Sequence, residues 1–257
     1  MIKAIFFDID GTLLSTRDNI ISTSTRSCLK QLRQNDIKTI IATGRHKIDL
    51  TKLPVKDIKF DGYLTLNGQL ILDESLRVYT GTPINEQEME IVASIFQAKR
   101  IPFMLINKDS RYMNYVDNTT KEILESQHMD IPTISEYQGE NIYQAIAYVT
   151  KEKQDLLNNI LDECAITSWH PAGIDIIPID GGKAKGIEKY IESNNIKIEE
   201  TMAFGDGDND AEMLKYVGVG VAMGNASEKA KAASDYITDN IDNNGIEKAL
   251  RHFGLIE

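Results

Sequence analysis

Short apolar runs alternate with helix-like segments at both ends of this 257-residue chain. Near the N-terminus, an apolar run at residues 2–7 is followed by a helical pattern at 24–34 and a second apolar run at 38–42. Towards the C-terminus, a helical pattern at 185–193 precedes an apolar run at 201–204. Because such alternation is typical of parallel strands joined by right-handed helical crossovers, the sequence predicts an α/β fold with a parallel-sheet core.

The middle of the chain carries a different set of elements. After Pro83, helical patterns at 85–99 and 151–163 alternate with strand-like runs at 103–106 and 142–149. The second helix is expected to bury Leu156, Leu157, Ile160 and Leu161 on its apolar face. Since this block can enclose a small core of its own, we predict an insertion into the first domain. The expected segments are core 1–82, inserted α/β domain 83–180 and core 181–257.

Composition narrows the classes of partner. The chain has 39 acidic and 28 basic residues, a net charge of −11, which disfavours binding to a nucleic-acid backbone. No apolar run approaches the roughly 18 residues that a membrane helix needs. Two cysteines are too few for a disulfide framework. We therefore expect no nucleic acid, no membrane and a cytoplasmic location.

Two aspartates follow the first apolar run. Asp8 and Asp10 are separated by one residue, so in an extended chain their side chains face the same spot. That spot is the carboxyl end of a parallel strand, where open α/β sheets bind ligands. Two carboxylates about 4 Å apart repel by about 4 kcal/mol at an effective dielectric constant near 20. A positive group, or a retained proton, is needed to hold them together.

A second acidic segment follows the apolar run at 201–204. It holds Asp206, Asp208, Asn209 and Asp210, whose hard oxygen atoms suit Mg²⁺. A calcium-binding EF-hand loop does not fit, because its sixth position would be Ala211 instead of glycine and its twelfth Val217 instead of glutamate.

Two further motifs point to an anionic ligand. Thr43 and Gly44 end the strand-like run at 38–42, where a hydroxyl and free N–H groups can cradle an anion. Lys183 follows two glycines and precedes a helix, so it can reach a phosphate as a point charge. The segment is not a P-loop, because Ile177 occupies a required glycine position and Ala184 follows the lysine.

Taken in order, these motifs resemble the haloacid dehalogenase superfamily. The matching positions are residues 8–12, Thr43, Lys183 and residues 205–210, with further local matches at 42–45, 66–68 and 220–226. The large insertion between Thr43 and Lys183 resembles the α/β cap of the Cof-type subfamily. The resemblance implies a Rossmann-like parallel-sheet core with an inserted α/β cap domain that acts as a lid.

The resemblance also implies roles for individual residues. Asp8 would be the nucleophile that becomes an aspartyl phosphate, and Asp10 the general acid and base. Thr43, Gly44, Lys183 and Asn209 would bind the phosphoryl group. Mg²⁺ would be held by Asp8, Asp10 (through its backbone carbonyl), Asp206 and Asp210. Lys185 is the weaker alternative to Lys183, and Arg45, His46, Arg111 and His170 are candidate contacts to the leaving group.

The expected function is that of a Mg²⁺-dependent phosphatase for small phosphorylated metabolites, with sugar phosphates first by family analogy. Two alternatives remain. One is a phosphotransferase or phosphomutase that passes the phosphoryl group to a second sugar. The other is a non-enzymatic receiver that uses a phospho-acceptor aspartate as a switch, although receiver domains are about half this length and lack a large insertion.

Overall fold

A computed structural model describes residues 1–126 and 129–257. The chain divides into two compact units. The first combines Met1–Thr80 with Gly182–Glu257, and the second, the inserted unit, is Gly81–Gly181. The α/β fold class expected from the sequence is confirmed by this architecture.

Strands and helices alternate through the described residues. The strands are β1 (Ala4–Phe7), β2 (Lys38–Ala42), β3 (Gly62–Thr65), β4 (Leu70–Leu72), β5 (Val78–Gly81), β6 (Phe103–Ile106), β7 (Arg111–Met113), β8 (Thr133–Ile134), β9 (Gln144–Ala147), β10 (Cys164–His170), β11 (Gly173–Pro178), β12 (Thr201–Gly205), β13 (Val219–Ala222) and β14 (Tyr236–Ile237). The helices are α1 (Thr23–Gln34), α2 (Lys47–Leu50), α3 (Glu86–Ala98), α4 (Asn118–Ser126), α5 (Lys151–Asn158), α6 (Lys183–Ser193), α7 (Ala211–Tyr216), α8 (Glu228–Ala233) and α9 (Gly245–His252).

The first unit is built on an eight-stranded sheet in the order β14-β13-β12-β1-β2-β3-β4-β5. Its central strand β1 pairs in parallel with β12 on one side and β2 on the other. Phe7 is in register with both Phe204 and Ile41, and its ring stacks on Phe204 with the centroids 5.2 Å apart. All four residues of β1 are fully buried, as expected for a strand covered on both faces. This register brings the carboxyl ends of three strands to the same edge of the sheet.

The Asn67-Gly68 pair, a typical hairpin turn sequence, lies in the loop between the antiparallel strands β3 and β4, and this loop is longer than a two-residue turn. The β3–β4 pairing ends at Thr65 and Leu70, so four residues connect the strands. Leu66, Asn67 and Gly68 all have positive φ angles, of 52°, 54° and 86°. The N–H of Asn67 donates to the carbonyl oxygen of Thr43 at 2.9 Å, which ties this strained loop to the end of β2.

Several predicted helix limits change in the structure. Helix α1 begins at Thr23, one residue before the predicted start, and the hydroxyl of Ser22 caps it by accepting from the N–H of Thr25. Helix α5 ends at Asn158, five residues before the predicted end at Glu163. Leu156 and Ile160 are 60% and 46% exposed, so the predicted apolar face of α5 is wrong at these positions. Residues 208–210 form a 3₁₀ turn before α7 starts.

The inserted unit has a six-stranded sheet in the order β10-β11-β9-β6-β7-β8. Helices α3 and α5 pack against one face of this sheet. Val92 and Phe96 of α3 and Leu157 of α5 share a buried cluster with Phe103 and Ile176 from the strands. This unit therefore has its own hydrophobic core. None of the helices in residues 1–126 and 129–257 combines the length and apolar character needed to cross a membrane.

Candidate active site

Three carboxylates converge at the carboxyl edge of the larger sheet. Asp8 directly follows β1, and Asp206 and Asp210 lie in the loop and 3₁₀ turn that follow β12. One oxygen from each of the three side chains lies within 4.8 Å of the others. Asp8 and Asp210 are buried, with 7% and 0% of their surface exposed. The register of β1 with β12 thus joins acidic residues almost 200 positions apart.

A buried lysine offsets part of this negative charge. The ammonium group of Lys183 lies 2.6 Å from Oδ1 of Asp8 and 2.6 Å from Oδ1 of Asp210. Burial opposes the charged form of Lys183, but the two carboxylates outweigh burial and raise the pKa of the lysine. Lys185 instead pairs with Glu188 on the exposed side of α6, at 2.9 Å. Of these two lysines, Lys183 is therefore the one in contact with the carboxylates.

Asp210 shapes the loop as well as pairing with the lysine. Its Oδ2 accepts hydrogen bonds from the backbone N–H groups of Asp206 and Gly207, both at 2.9 Å. Asp206 is held from the other side by Thr12, whose hydroxyl donates to Asp206 Oδ1 at 2.8 Å. These bonds fix the position of the Asp206 carboxylate at the edge of the cluster.

Gly11 allows the loop after β1 to approach Asp206 closely. Its φ is +84°, and a Cβ atom at this position would lie 2.7 Å from Cγ of Asp206. A residue with a side chain would therefore be strained and would also displace the carboxylate.

The cluster retains an excess of negative charge. Burial raises the pKa of Asp8 well above its usual value, and Lys183 only partly opposes this. Burial and the neighbouring Asp210 raise the pKa of Asp206 to about 7. Three carboxylates face one ammonium group, and carboxylate oxygens are the ligands that Mg²⁺ prefers. This donor set, three converging carboxylates with one oxygen each within 4.8 Å of the others, fits a divalent cation.

Asp10 has a different partner. Arg45 holds it in a two-point ion pair, with Nε 2.6 Å from Oδ2 and Nη2 2.7 Å from Oδ1. The Asp10 side chain is not part of the cluster formed by Asp8, Asp206 and Asp210. Strand β1 ends at Phe7, so the alternation of an extended strand does not govern these side chains. Asp8 and Asp10, one residue apart, thus contact different cations, Lys183 and Arg45.

The residues expected to bind phosphate lie beside the strained loop of the hairpin. Thr43 is buried, and its hydroxyl accepts from the N–H of Arg45 at 3.1 Å. The side-chain amide of Asn209 donates to Oδ1 of Asn67 at 3.0 Å. A Cβ atom at Gly44 would lie only 3.1 Å from the same Asn67 oxygen. Asn67 therefore contacts Asn209, and a side chain at position 44 would require Asn67 to shift by a few tenths of an ångström.

Three polar residues of the site had no role in the sequence analysis. They are Thr12, Asn67 and Asn225. Asn225 donates to the carbonyl oxygen of Gly11 at 2.8 Å, which braces the turn after Asp10. All three lie in stretches that match the family, but the residue types alone do not reveal side-chain partners so distant in sequence.

The candidate contacts to the leaving group are distributed over both units. His46 is buried and caps α2, its Nδ1 accepting from the N–H of Ile48 at 3.4 Å. Arg111 and His170 belong to β7 and β10 of the inserted unit.

Comparison with known proteins identifies the family. A family model described as haloacid dehalogenase-like hydrolase matches residues 5–250. The chain belongs to the haloacid dehalogenase-like hydrolases. It is 32% identical over 258 residues to "Putative phosphatase YkrA" of Bacillus subtilis, covering 99% of both chains. The receiver-type switch therefore does not apply, because members of this family are enzymes, and the resemblance noted from the sequence is confirmed.

Solved structures of phosphatases in this superfamily have the same fold. BT1666 from Bacteroides thetaiotaomicron gives a TM-score of 0.91 at 32% identity, covering 100% of this chain and 96% of the other. BT4131, described as a subclass IIB sugar phosphatase, gives a TM-score of 0.89 at 33% identity, covering 99% and 100%. This haloacid dehalogenase-like hydrolase is thus an enzyme of the phosphatase type.

Replacing Lys183 tests how much its buried ion pairs with Asp8 and Asp210 stabilise the protein. Lys183→Met leaves Asp8 and Asp210 buried without their shared cation, so we expect a loss of about 3 kcal/mol or more in the free energy of unfolding. Urea unfolding of the metal-free protein measures this loss. Lys185→Met is the matched control and should change stability by less than about 0.5 kcal/mol. Equal unfolding midpoints for Lys183→Met and the wild type would contradict this account of the buried ion pairs.

Proposed function

We propose that the protein hydrolyses phosphate monoesters of small metabolites in a Mg²⁺-dependent reaction through an aspartyl phosphate at Asp8. The observation that supports this most strongly is the buried Asp8 carboxylate, held by Lys183 beside two further carboxylates. A carboxylate fixed in this way is available as a nucleophile and is paired with a group that can also bind phosphoryl oxygens.

The proposed metal ligands are Asp8, the backbone carbonyl of Asp10, and Asp206. Asp210 supports them, because its two carboxylate oxygens already accept hydrogen bonds from Lys183 and from the loop amides. When bound, Mg²⁺ supplies positive charge that lets a phosphate dianion approach the aspartates and stabilises the charge of phosphoryl transfer.

In the first step, a carboxylate oxygen of Asp8 attacks phosphorus and the bond from phosphorus to the ester oxygen breaks. Asp10 gives its proton to the leaving alcohol. Lys183, the Thr43 hydroxyl, the N–H of Gly44 and the Asn209 amide bind the phosphoryl oxygens.

In the second step, water attacks the phosphorus of the aspartyl phosphate. Asp10 takes the proton of the water, the bond from phosphorus to the Asp8 oxygen breaks, and inorganic phosphate leaves. Arg45 contacts both oxygens of the ionised Asp10 carboxylate, the form that takes the proton of the water, and one of these contacts has to open when Asp10 carries the proton of the first step.

The proposed substrates are sugar phosphates or similar small phosphorylated metabolites. BT4131, which is described as a sugar phosphatase, is similar over nearly the whole chain. In this proposal residues 83–180 form the cap that recognises the leaving group and excludes water, and residues 1–82 and 181–257 form the catalytic core.

A screen of phosphorylated metabolites with Mg²⁺ identifies the substrate class. Measuring both inorganic phosphate and isomerised sugar phosphate separates hydrolysis from the phosphomutase alternative.

Asp8→Asn is expected to reduce phosphate release by about 10³-fold or more, because an amide cannot act as the nucleophile. The shape of the side chain is kept and Lys183 retains Asp210, so we expect the fold to persist. Turnover of p-nitrophenyl phosphate and circular dichroism measure the two properties. Asp36→Asn, at an exposed position, is the control and should remain active. Unchanged turnover in Asp8→Asn would rule out this nucleophile.

Asp10→Asn is expected to trap the intermediate. p-Nitrophenol is a good leaving group and needs little help from a general acid, whereas the hydrolytic water loses its base. We expect a burst of one equivalent of p-nitrophenol, slow turnover afterwards and a chain mass increased by one phosphoryl group. The double variant Asp8→Asn/Asp10→Asn should show neither the burst nor the added mass. Phosphorylation of that double variant would assign the nucleophile to another residue.

Mg²⁺ is expected to raise the melting temperature of the wild type more at about pH 8 than at about pH 6, because protons compete for Asp206 below its pKa of about 7. Asp206→Asn should lose most of this rise. The exposed Asp208→Asn in the same loop is the control and should retain it.

The raised pKa of Asp206 also determines how the stability of the metal-free protein depends on pH. The folded state holds the Asp206 proton more tightly than the unfolded chain, so this residue favours folding most below about pH 4. Its contribution is lost as the pH rises towards about 7. In EDTA, the stability of the wild type relative to Asp206→Asn should therefore fall over this range. A difference that stays constant with pH would contradict the raised pKa.

A further inference from the structure

The loop between β3 and β4 contains a left-handed turn, formed by residues 66–68. Leu66, Asn67 and Gly68 have φ angles of 52°, 54° and 86°, and no other consecutive residues in the described part of the chain have positive φ. Glycine adopts this conformation freely, whereas an aliphatic residue such as Leu66 is strained in it. Backbone strain persists only where surrounding contacts enforce it, and it concentrates at functional sites.

Two backbone hydrogen bonds tie the left-handed turn to the segment that follows β2. The N–H of Leu66 donates to the carbonyl oxygen of Arg45 at 3.1 Å, and the N–H of Asn67 donates to that of Thr43 at 2.9 Å. The same short segment carries the Thr43 hydroxyl and the Gly44 N–H of the proposed phosphoryl site. The turn is therefore fixed in position relative to these two groups.

The left-handed turn also packs against the start of α6. A Cβ atom at Gly68 would lie 2.6 Å from the carbonyl oxygen of Gly182, and a Cβ atom at Gly186 would lie 2.8 Å from Cα of Gly68. Lys183 lies between these two glycines of α6 and its N-cap, and it is the first residue of the helix. The backbone of the turn is thus in close contact with the helical turn that carries the lysine.

The side chain of Asn67 determines which way the amide of Asn209 points. Nδ2 of Asn209 donates to Oδ1 of Asn67 at 3.0 Å. At the other end of this amide, Oδ1 of Asn209 lies beside Gly207, where an added Cβ atom would be only 2.5 Å away. Asn67 is 3% exposed, whereas Asn209 is half-buried and accessible to a ligand. An amide nitrogen carries two hydrogens, so the second hydrogen of Asn209 can donate to an anion.

We propose that Asn67 is a positioning residue for phosphoryl transfer. Its side-chain oxygen holds the Asn209 amide in the orientation that offers an N–H to a phosphoryl oxygen. Without this acceptor, the amide can turn over and present its own oxygen, which repels an anion. The backbone of the left-handed turn, strained at Leu66, keeps Asn67 in place for this contact. The inference rests on the proposed function, because it needs Asn209 to bind the phosphoryl group.

Asn67→Gly tests this role, because glycine keeps the left-handed backbone and removes only the side chain. With p-nitrophenyl phosphate and Mg²⁺, kcat should fall about tenfold or more, since an oriented donor to the transition state is lost. KM should change by less than about threefold, whereas a general loosening of the site would raise it further. Asn195→Gly is the matched control. Asn195 is exposed, has a φ of 52° and should keep wild-type kinetics after the same change.

A double-mutant cycle with Asn209→Ala shows whether Asn67 acts through Asn209. Asn67→Gly/Asn209→Ala should have the same kcat as Asn209→Ala alone, because Asn67 then has no amide to orient. Losses that multiply in the double variant would assign Asn67 another role and overturn the proposal. An Asn67→Gly chain that fails to fold, followed by circular dichroism, would show a structural role of this side chain and would also overturn it.

The wild type separates failure of this inference from failure of the proposed function. Absence of phosphate release by the wild type from every phosphorylated metabolite tested would overturn the proposed function, and this inference with it. An active wild type with an equally active Asn67→Gly variant would overturn the role of Asn67 alone.

Discussion

The shared contact of Lys183 with Asp8 and Asp210 is the interaction on which the site depends. The lysine begins α6, whereas the two aspartates follow β1 and the turn after β12. One ammonium group thus joins the two parts of the chain that flank the inserted unit. Because all three side chains are buried, loss of the lysine leaves two carboxylates without their shared cation in a region of low dielectric constant. The geometry needed for chemistry and the stability of the first unit therefore rest on the same contacts.

One lysine does not neutralise the cluster, and this imbalance has a functional meaning. Asp206 is held by Thr12 and by the turn at Gly11, although burial beside Asp210 disfavours its charged form. A protein evolved only for stability would remove such a carboxylate or give it a cation of its own. Asp10, by contrast, does have a cation of its own, Arg45. The local excess of negative charge costs stability in the protein without a bound cation, and it is the feature on which the proposed Mg²⁺ site depends.

The sequence predicts the buried strands of the core and the residues that follow the carboxyl ends of these strands. Short, mainly apolar runs predict β1, β2 and β12, and the rule that ligands bind at strand ends points to Asp8 and Asp206. The sequence does not predict side-chain pairing across the site. The ion pair of Asp10 with Arg45 and the contact of Asn67 with Asn209 depend on loop conformations. Helix α5 shows another limit, since its apolar pattern continues past Asn158 although Ile160 is half exposed.

The acidic cluster illustrates how an unbalanced charge among buried groups indicates the chemistry of a ligand. In the first unit three carboxylates surround one lysine ammonium group, so a ligand that balances the charge of this cluster is a cation. The composition does not reveal this local imbalance of charge, because a net charge of −11 says nothing of where the charges lie. The charge that remains unbalanced among buried side chains therefore indicates the chemistry of a ligand better than the net charge of the whole chain does.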